Sequence, residues 1–132
     1  MGHRYVEHVS EVELSLDAES EAGLFAEATA AFRELVDGRG RRAGTVRREI
    51  SLGPDTPELL LLDWLNELVF LAEVDAFVPQ RIAALELADG RLEATVEGAR
   101  GRPRHLVKGA TLHDLELSEG AGRWHARVVL DV

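Results

Sequence analysis

The side chains best suited to chemistry lie near the end of the chain. Lys108 is the only lysine among 15 basic residues, and marks either a position that requires a compact ammonium group or a chance exception to a strong arginine bias. A hairpin predicted for the last part of the chain would place Lys108 diagonally across from Asp131, at a Cα spacing of roughly 7–8 Å. The carboxylate of Val132 would lie at the same edge. The sequence therefore predicts a small cluster of carboxylates with one cation.

The histidines and the motifs of common enzymes indicate no further site. The five histidines, at positions 3, 8, 105, 113 and 125, lack the HxH or HxxxH spacing of a histidine-rich zinc site. The chain also lacks the GxSxG, P-loop, GxGxxG, HExxH and EF-hand motifs. Because there is no cysteine, disulfides, thiolate metal sites and cysteine nucleophiles are excluded.

The charge balance disfavours a protein that coats nucleic acid. With 24 acidic and 15 basic residues the net charge is −9, whereas affinity for phosphates comes chiefly from lysine and arginine. Two basic clusters interrupt this background: Arg39, Arg41, Arg42, Arg47 and Arg48, and then Arg100, Arg102, Arg104 and Lys108. Each could contact phosphate or RNA, but neither contains interleaved aromatic residues that would stack bases, which favours solvated loops.

Length and composition predict one soluble domain spanning residues 1–132. The chain has 132 residues, of which 45% are hydrophobic, so it can bury a core of its own. The N-terminus has no apolar signal region, and the most apolar stretch, 59–71, is interrupted by Asp63, Asn66 and Glu67. We therefore expect a cytoplasmic protein without a membrane segment.

Hydrophobic periodicity predicts two helices among six strands. Ser20 is expected to cap a helix that stops at Asp37-Gly38, and Thr56 to cap one that runs from Pro57 to about Glu73. The second helix is apolar around most of its circumference and should form the centre of the core. The predicted strands are Tyr5–Leu16, Thr45–Leu52, Phe77–Ala88, Arg91–Glu97, Leu112–Ser118 and Arg123–Leu130. This order indicates an α+β two-layer sandwich: a mixed, mostly antiparallel sheet of about six strands with two helices on one face.

Two hairpins determine the predicted register. The Asp89-Gly90 turn should pair Ala88 with Arg91, and the apolar pairs that follow are Leu87–Leu92, Leu85–Ala94 and Ala83–Val96. The last turn, at residues 119–122, should pair Ser118 with Arg123 and Ala110 with Asp131. The other pairs expected in that hairpin are Leu117–Trp124, Leu115–Ala126, Glu116–His125 and Asp114–Arg127.

Five segments, in order along nearly the whole chain, resemble the archease family. Each motif is short, and the specificity comes from their shared order and from the matching end of the chain. The segments are 5–12 (YVEHVSEV, similar to a strand motif that is usually HTADI in the family), 20–32 (the first helix), 61–68 (LLDWLNEL, family LLxxWLNEL), 107–113 (VKGATLH, family VKAxTxH) and 124–132 (a strand that ends in Asp and one hydrophobic residue).

The resemblance implies a protein cofactor rather than a catalyst. Archeases assist the RtcB-type RNA-splicing ligase, which joins RNA ends that carry a 2′,3′-cyclic phosphate or a 3′-phosphate. They promote guanylylation of the ligase's active-site histidine and allow multiple turnover. The implied partner is therefore this ligase, in tRNA splicing or RNA repair, with RNA contacted only through the ligase and no role for DNA or membranes.

The resemblance also implies a site. Glu11 stands where the family has aspartate, and with Asp131 and the terminal carboxylate of Val132 it would hold a divalent metal ion, Ca²⁺ first and Mg²⁺ or Mn²⁺ as alternatives. Lys108 stands at the motif lysine and would reach the ligase or a nucleotide phosphate. Because Glu11 is one methylene longer than aspartate, metal affinity or ion preference would differ from the family.

Other interpretations stay open. The chain could be a stand-alone metal-dependent phosphoester hydrolase, with Glu11 and Asp131 as ligands and His8 or His113 as acid or base. It could also be a metal-free, chaperone-like interaction domain. Lys108 and Asp131 could then form only a strand-end ion pair, which contributes about 0–1 kcal/mol.

Overall fold

The computed structural model describes residues 2–7, 10–38, 42 and 45–132, with the backbone alone at residues 6 and 7. Within these ranges the chain forms seven strands and two helices. They are β1 Gly2–Glu7, β2 Glu11–Ala18, α1 Glu21–Asp37, β3 Val46–Leu52, α2 Pro57–Val74, β4 Phe77–Ala88, β5 Arg91–Arg100, β6 Gly109–Gly120 and β7 Arg123–Asp131.

The strands form two antiparallel sheets. A four-stranded sheet has the order β1-β2-β7-β6, and a three-stranded sheet has the order β3-β5-β4. The predicted α+β class is confirmed. The strands are divided between two sheets, instead of forming one mixed sheet, because the apolar circumference of α2 needs cover on several sides and a single sheet covers only one.

The strand predicted over Tyr5–Leu16 is a hairpin of two strands. β1 pairs with β2 from Gly2 opposite Asp17 to Glu7 opposite Val12. Residues 8–10 between them contain no glycine, proline, asparagine or aspartate, so the sequence carries no turn signal there.

Both helices begin and end close to the predicted positions. The Ser20 hydroxyl accepts a hydrogen bond from the Gly23 N–H (3.0 Å) at the start of α1, and Gly38, with φ 71°, follows its end. Thr56 caps α2, which ends one residue after the predicted Glu73. In the described part of the chain, no helix is long and apolar enough to cross a membrane.

The core is centred on α2, as its apolar surface predicts. α2 contacts β6 of the four-stranded sheet and β3 and β4 of the three-stranded sheet, while α1 contacts β2 and β4. Trp64 of α2 is fully buried, and its indole N–H donates to the Thr29 hydroxyl of α1 (3.0 Å). The Phe25 ring packs edge-on against Trp64, with ring centroids 6.0 Å apart. These contacts join the two helices.

The predicted register of the β4–β5 hairpin is confirmed near the turn at Asp89-Gly90 and changes farther away. Three pairs form as predicted: Ala88–Arg91, Leu87–Leu92 and Leu85–Ala94. A register shift between Ile82 and Ala84 then places Ile82, rather than Ala83, opposite Val96. A bulge inserts one residue without a partner, which the two-residue period of the sequence does not reveal.

The register predicted for the last hairpin is wrong. The turn uses Ala121 and Gly122 alone, with φ of 53° and 73°, so Gly120 rather than Ser118 lies opposite Arg123. The observed pairs are Glu116–Arg127, Leu117–Ala126 and Ser118–His125. Because residues 119–122 contain two glycines, turns of two and four residues are both compatible with the sequence.

Candidate functional site

Three strand ends of the four-stranded sheet meet at one edge. β7 lies between β2 and β6, and Asp131 at its end is directly opposite both Glu11, the first residue of β2, and Gly109, the first residue of β6. Side chains of directly opposite residues point to the same face, with Cβ atoms about 4.5–5.5 Å apart. Glu11 and Asp131 therefore share one face. We call residues 10–11, 108–111 and 131–132 the acidic edge.

Backbone hydrogen bonds hold the other two predicted site residues at this edge. The Lys108 N–H donates to the Asp131 carbonyl oxygen (2.7 Å), and the Val132 N–H donates to the Ser10 carbonyl oxygen (3.1 Å). The structure thus brings Glu11, Lys108, Asp131 and Val132 to one end of the sheet. Their roles there stay a prediction.

The position of Lys108 differs in detail from the prediction. The predicted register places Ala110 opposite Asp131 and Lys108 diagonally across from it on the same face. In the structure Gly109 is opposite Asp131, so the prediction is wrong by one residue. Lys108 precedes β6, and its backbone N–H rather than a shared face keeps it beside Asp131.

Asn66 of α2 fixes the start of β6. Its Oδ1 accepts a hydrogen bond from the Ala110 N–H (2.8 Å), and its Nδ2 donates to the Ala110 carbonyl (3.2 Å). The helix thereby holds the backbone of Ala110 in place. The sequence places Asn66 in a polar stripe on a mostly apolar helix, and that lone amide was the available signal for a positioning role.

A buried hydroxyl lies on the same face as the two carboxylates. Thr111 is directly opposite Val129, which is two residues from Asp131, so the three side chains share one face. The Thr111 Oγ1 atom is buried and, within the described residues, has no hydrogen-bond partner. Buried polar groups are normally paired, so this hydroxyl is free, as far as the described residues go, to bond to a ligand or a water molecule. The sequence motif contains Thr111, but nothing in it shows that the hydroxyl is buried.

No cationic side chain that the structure describes neutralises the opposing carboxylates of Glu11 and Asp131. Neither Glu11 nor Asp131 forms an ion pair with a described cationic side chain, although Glu13 on the same strand lies 3.9 Å from Arg127. In the described ranges, no three Asp, Glu, His or Cys side chains are grouped to hold a metal ion. A divalent ion at this edge would therefore need further oxygen ligands from the main chain, the chain terminus, Thr111 or water.

The histidines nominated for acid–base chemistry add little to this geometry. His113 is exposed, and its Nε2 atom lies 3.2 Å from Oδ2 of Asp114, which is also exposed. A general acid or base works within hydrogen-bond reach of a bound substrate. His113 lies on the exposed surface, and His8 lies outside the described residues.

Several members of the basic clusters have structural contacts. The Arg42 guanidinium donates two hydrogen bonds to the buried Asp37 carboxylate (2.8 and 2.6 Å), and Arg104 lies 3.9 Å from the same group. Hydrogen bonding to Arg42 holds the pKa of the Asp37 carboxyl below its usual range. These arginines therefore bind the protein's own carboxylate. Arg39 and Arg41 lie outside the described residues.

The sequence is similar to proteins of one family over almost its full length. Residues 3–132 match the Archease protein family (MTH1598/TM1083). The chain is 27% identical over 139 residues to Protein archease of Methanosarcina mazei, covering 98% of this chain and 95% of the relative. It is 29% identical over 136 residues to Protein archease of Methanopyrus kandleri, covering 96% of each.

Two solved structures share the fold. The solution structure of Methanobacterium thermoautotrophicum protein 1598 superposes with a TM-score of 0.74 at 23% identity, covering 99% of each chain. The crystal structure of an archease, described as a possible chaperone, from Thermotoga maritima gives a TM-score of 0.67 at 19% identity, covering 98% of this chain and 96% of the other. The matched sequence, the α+β architecture and the motif residues gathered at the acidic edge agree: the chain belongs to the archease protein family.

Proposed function

We propose that this protein activates an RtcB-type RNA ligase, as a protein cofactor that stimulates guanylylation and multiple turnover of the ligase in tRNA splicing or RNA repair. Membership of the archease family supports a non-catalytic activator or chaperone role. The observation that carries the proposal is the acidic edge, where Glu11 is opposite Asp131 and Lys108 is bonded to Asp131. In this proposal the ligase handles the RNA in the cytoplasm, without DNA or a membrane.

The proposed activator holds a divalent metal ion at the acidic edge. Its ligands would be Glu11, Asp131 and the carboxylate of Val132, with Ca²⁺ as the first candidate and Mg²⁺ or Mn²⁺ as alternatives. The buried Thr111 hydroxyl, without a partner among the described residues, supports the fit. Carboxylate and hydroxyl oxygens are hard ligands that these ions prefer. When bound, the ion would supply positive charge that offsets the carboxylate repulsion and attracts phosphate oxygens.

Lys108 supplies a second positive charge in the proposed site. Its backbone is held to Asp131 (2.7 Å), whereas the residue itself is exposed. An ammonium group binds a phosphate or carboxylate oxygen as a compact point charge, while a guanidinium group requires a planar, two-pronged geometry. We expect Lys108 to contact a phosphate of the guanine nucleotide or a carboxylate of the ligase.

A guanylylation assay with the cognate ligase tests the proposal. Formation of the ligase–GMP adduct is measured with wild-type protein, Lys108→Ala and Asp131→Ala. Arg91→Ala, an exposed position in the three-stranded sheet, is the matched control. We expect wild-type protein and the control to stimulate adduct formation equally. Lys108→Ala and Asp131→Ala should each lower the rate of adduct formation at least about tenfold, because each removes a charge-assisted contact.

The same assay separates the alternatives. An absence of stimulation by the wild-type protein would overturn the activator proposal. Turnover of a phosphoester without the ligase would favour the hydrolase. Stimulation that survives both Asp131→Ala and a metal chelator would favour a metal-free, chaperone-like domain, in line with the description of the Thermotoga maritima protein as a possible chaperone.

A further inference from the structure

Exposed apolar side chains gather at the C-terminal end of α2. In the described part of the chain, the large hydrophobic residues that are well exposed are Phe70 (52%), Val74 (67%), Leu106 (52%), Leu112 (66%) and Val132 (38%). Phe70 and Val74 belong to α2, and Leu106 lies in the loop 101–108 that precedes β6. Exposed apolar side chains that cluster indicate a contact surface.

A groove lies between α2 and this loop, and Leu106 is one of its lining residues. The groove has a volume of about 220 Å³ and is lined by Ala72, Glu73, Arg102, Pro103, Arg104 and Leu106. Phe70 is three residues from Glu73 and four from Val74, so both lie next to Phe70 on the exposed surface of the helix. Leu106 lies across the groove from Glu73, and Phe70 and Val74 continue the helix surface beside Glu73.

The loop wall of the groove is held in place by backbone hydrogen bonds. The Gly101 N–H donates to the Ala76 carbonyl (2.7 Å), and the His105 N–H donates to the Val36 carbonyl (2.9 Å). The loop is thereby attached to the ends of both helices. A preformed surface loses less conformational entropy on binding than a mobile one.

The loop wall is basic, although the protein as a whole is acidic. Residues 100–108 include four cationic side chains and no acidic one, whereas the whole chain carries −9. Among the described residues, Arg100 and Arg102 have no carboxylate at ion-pair distance, and Arg104 lies 3.9 Å from Asp37. Glu73, on the helix wall, is the only acidic residue of the lining. By charge complementarity, a partner of this surface is acidic.

We propose that Phe70, Val74, Arg102, Arg104 and Leu106 form a docking surface for an acidic protein surface. An apolar side chain of the partner enters the groove, and carboxylates beside it face the arginines. This inference rests on the proposed function, because the partner is taken to be the ligase.

The docking surface is continuous with the acidic edge. Asn66, Phe70 and Val74 recur every four residues and so lie along one face of α2 over about 12 Å. Asn66 is the residue that holds Ala110 at the start of β6. A protein docked on Phe70 and Val74 would thus be placed beside the acidic edge.

The composition of the docking surface fits a protein better than RNA. Val74 and Leu106 offer nothing to a phosphate backbone, and Phe70 is the only aromatic residue in the surface. RNA-binding surfaces usually stack bases on several aromatic side chains. An apolar centre bordered by charged side chains is typical of a protein interface.

Direct binding to the cognate ligase, measured without RNA or GTP, tests the inference. The double variant Phe70→Ser/Leu106→Ser should raise Kd at least about tenfold, because it removes exposed anchors without entering the core. Arg102→Glu should raise Kd by a similar factor, since it places a carboxylate against carboxylates. Phe70→Leu, which keeps an apolar side chain, and Arg91→Glu, which makes the same charge change elsewhere, should change Kd less than about threefold. Unchanged thermal unfolding would show that each variant is folded.

The outcomes separate this inference from the proposed function. If the double variant binds the ligase as tightly as wild-type protein, or if wild-type protein does not bind, the docking surface is wrong. If Arg102→Glu weakens binding only when RNA is added, the surface contacts RNA and the inference is overturned. If wild-type protein binds and the variants bind weakly, but no guanylylation is stimulated, the docking surface stands and the proposed function fails.

Discussion

The two sheets place carboxylates of strand residues in opposite electrostatic settings. In the three-stranded sheet Glu97, whose side chain is 11% exposed, pairs with Arg47 (2.9 Å) and Arg81 (2.5 Å) from the neighbouring strands. In the four-stranded sheet Glu11 faces another carboxylate, Asp131, and no cation of the described chain pairs with either. The first group is neutralised within the protein. The second has no cation among the described residues, and in the proposed function a metal ion or the ligase supplies the missing positive charge.

In a third place, two carboxylates of α1 share a histidine, which neutralises them only when it is protonated. His3 lies between Glu27 (2.9 Å) and Glu34 (2.6 Å) of α1. Partial burial lowers the pKa of His3, but the hydrogen bonds to the two glutamates and their charges outweigh this effect, and the net shift is upward. The fold therefore pairs cations with carboxylates that hold elements together, whereas no described cationic side chain lies at ion-pair distance from Glu11 or Asp131.

The largest effect on stability is expected where a buried carboxylate loses its cation. Arg42→Ala would leave Asp37, whose side chain is 3% exposed, with Arg104 as its nearest remaining cation at 3.9 Å. A buried charge without its partner costs about 3–5 kcal/mol. Urea denaturation measures this as a loss in the free energy of unfolding. Arg123→Ala removes the exposed contact with Glu19 and should cost less than about 1 kcal/mol; equal losses would contradict the distinction.

A glycine in each sheet provides the next comparison. A Cβ atom at Gly98 would lie 2.2 Å from the Val78 carbonyl oxygen, whereas one at Gly109 would lie 3.3 Å from Oδ1 of Asn66. Gly98→Ala should therefore lower the free energy of unfolding by about 1–3 kcal/mol, and Gly109→Ala by less than about 1 kcal/mol. Thermal unfolding of the two variants checks this order. A larger loss for Gly109→Ala would show that the acidic edge is the more tightly packed region.

The contacts of His3 with Glu27 and Glu34 predict that the free energy of unfolding falls as pH rises. Because the folded pKa of His3 is raised above 6.5, its contribution is fully present below pH 6.5 and is lost as pH rises through the folded value. The loss should be about 1 kcal/mol or less, measured from urea midpoints across this range. His3→Gln should remove that part of the pH dependence. Identical profiles for both proteins would show that the histidine stays uncharged between the glutamates.

The smallest expected change in the free energy of unfolding has opposite signs in the two sheets. In the presence of a chelator, Asp131→Asn should raise the free energy of unfolding by up to about 0.5 kcal/mol, because it removes one of two opposing like charges. Glu97→Gln should lower it by about 1 kcal/mol, because it weakens the contacts with Arg47 and Arg81. Urea denaturation of both variants gives the comparison. If Asp131→Asn destabilises as much as Glu97→Gln, Asp131 has a structural role.

Local signals explain which parts of the fold the sequence predicts. Ser20 and Thr56 begin the two helices as expected, and Asp89-Gly90 forms the expected turn, because each depends on neighbouring residues alone. The division into two sheets and the bulges depend on contacts between distant segments, which a single sequence does not show. The last hairpin had two compatible turns, and the choice between them shifted the pairs next to the turn by two residues. A register irregularity between Thr111 and Glu116 then left the pairs at the acidic edge one residue from their predicted positions.

The residues of the candidate site also fall into two groups: those that the sequence predicts and those that only the structure shows. The sequence nominates Glu11, Lys108 and Asp131, because their types and motif positions are visible in it. It does not identify the roles of Asn66 and Thr111, because the bond from Asn66 to Ala110 and the burial of the Thr111 hydroxyl both arise from tertiary packing. Chemically reactive residue types are visible in a sequence, whereas the residues that position them emerge from tertiary contacts.

Titration of chelator-treated protein with Ca²⁺, Mg²⁺ and Mn²⁺ tests most directly whether the acidic edge is completed by a metal ion. Calorimetry should show binding of at least one of the ions to wild-type protein and to Glu97→Gln, and loss of that binding in Asp131→Asn. The bound ion should raise the free energy of unfolding by about 2.7 kcal/mol at a concentration about 100 times its Kd. Binding that is equal in wild-type protein and Asp131→Asn, or no binding of any of the three ions, would contradict the proposed metal site.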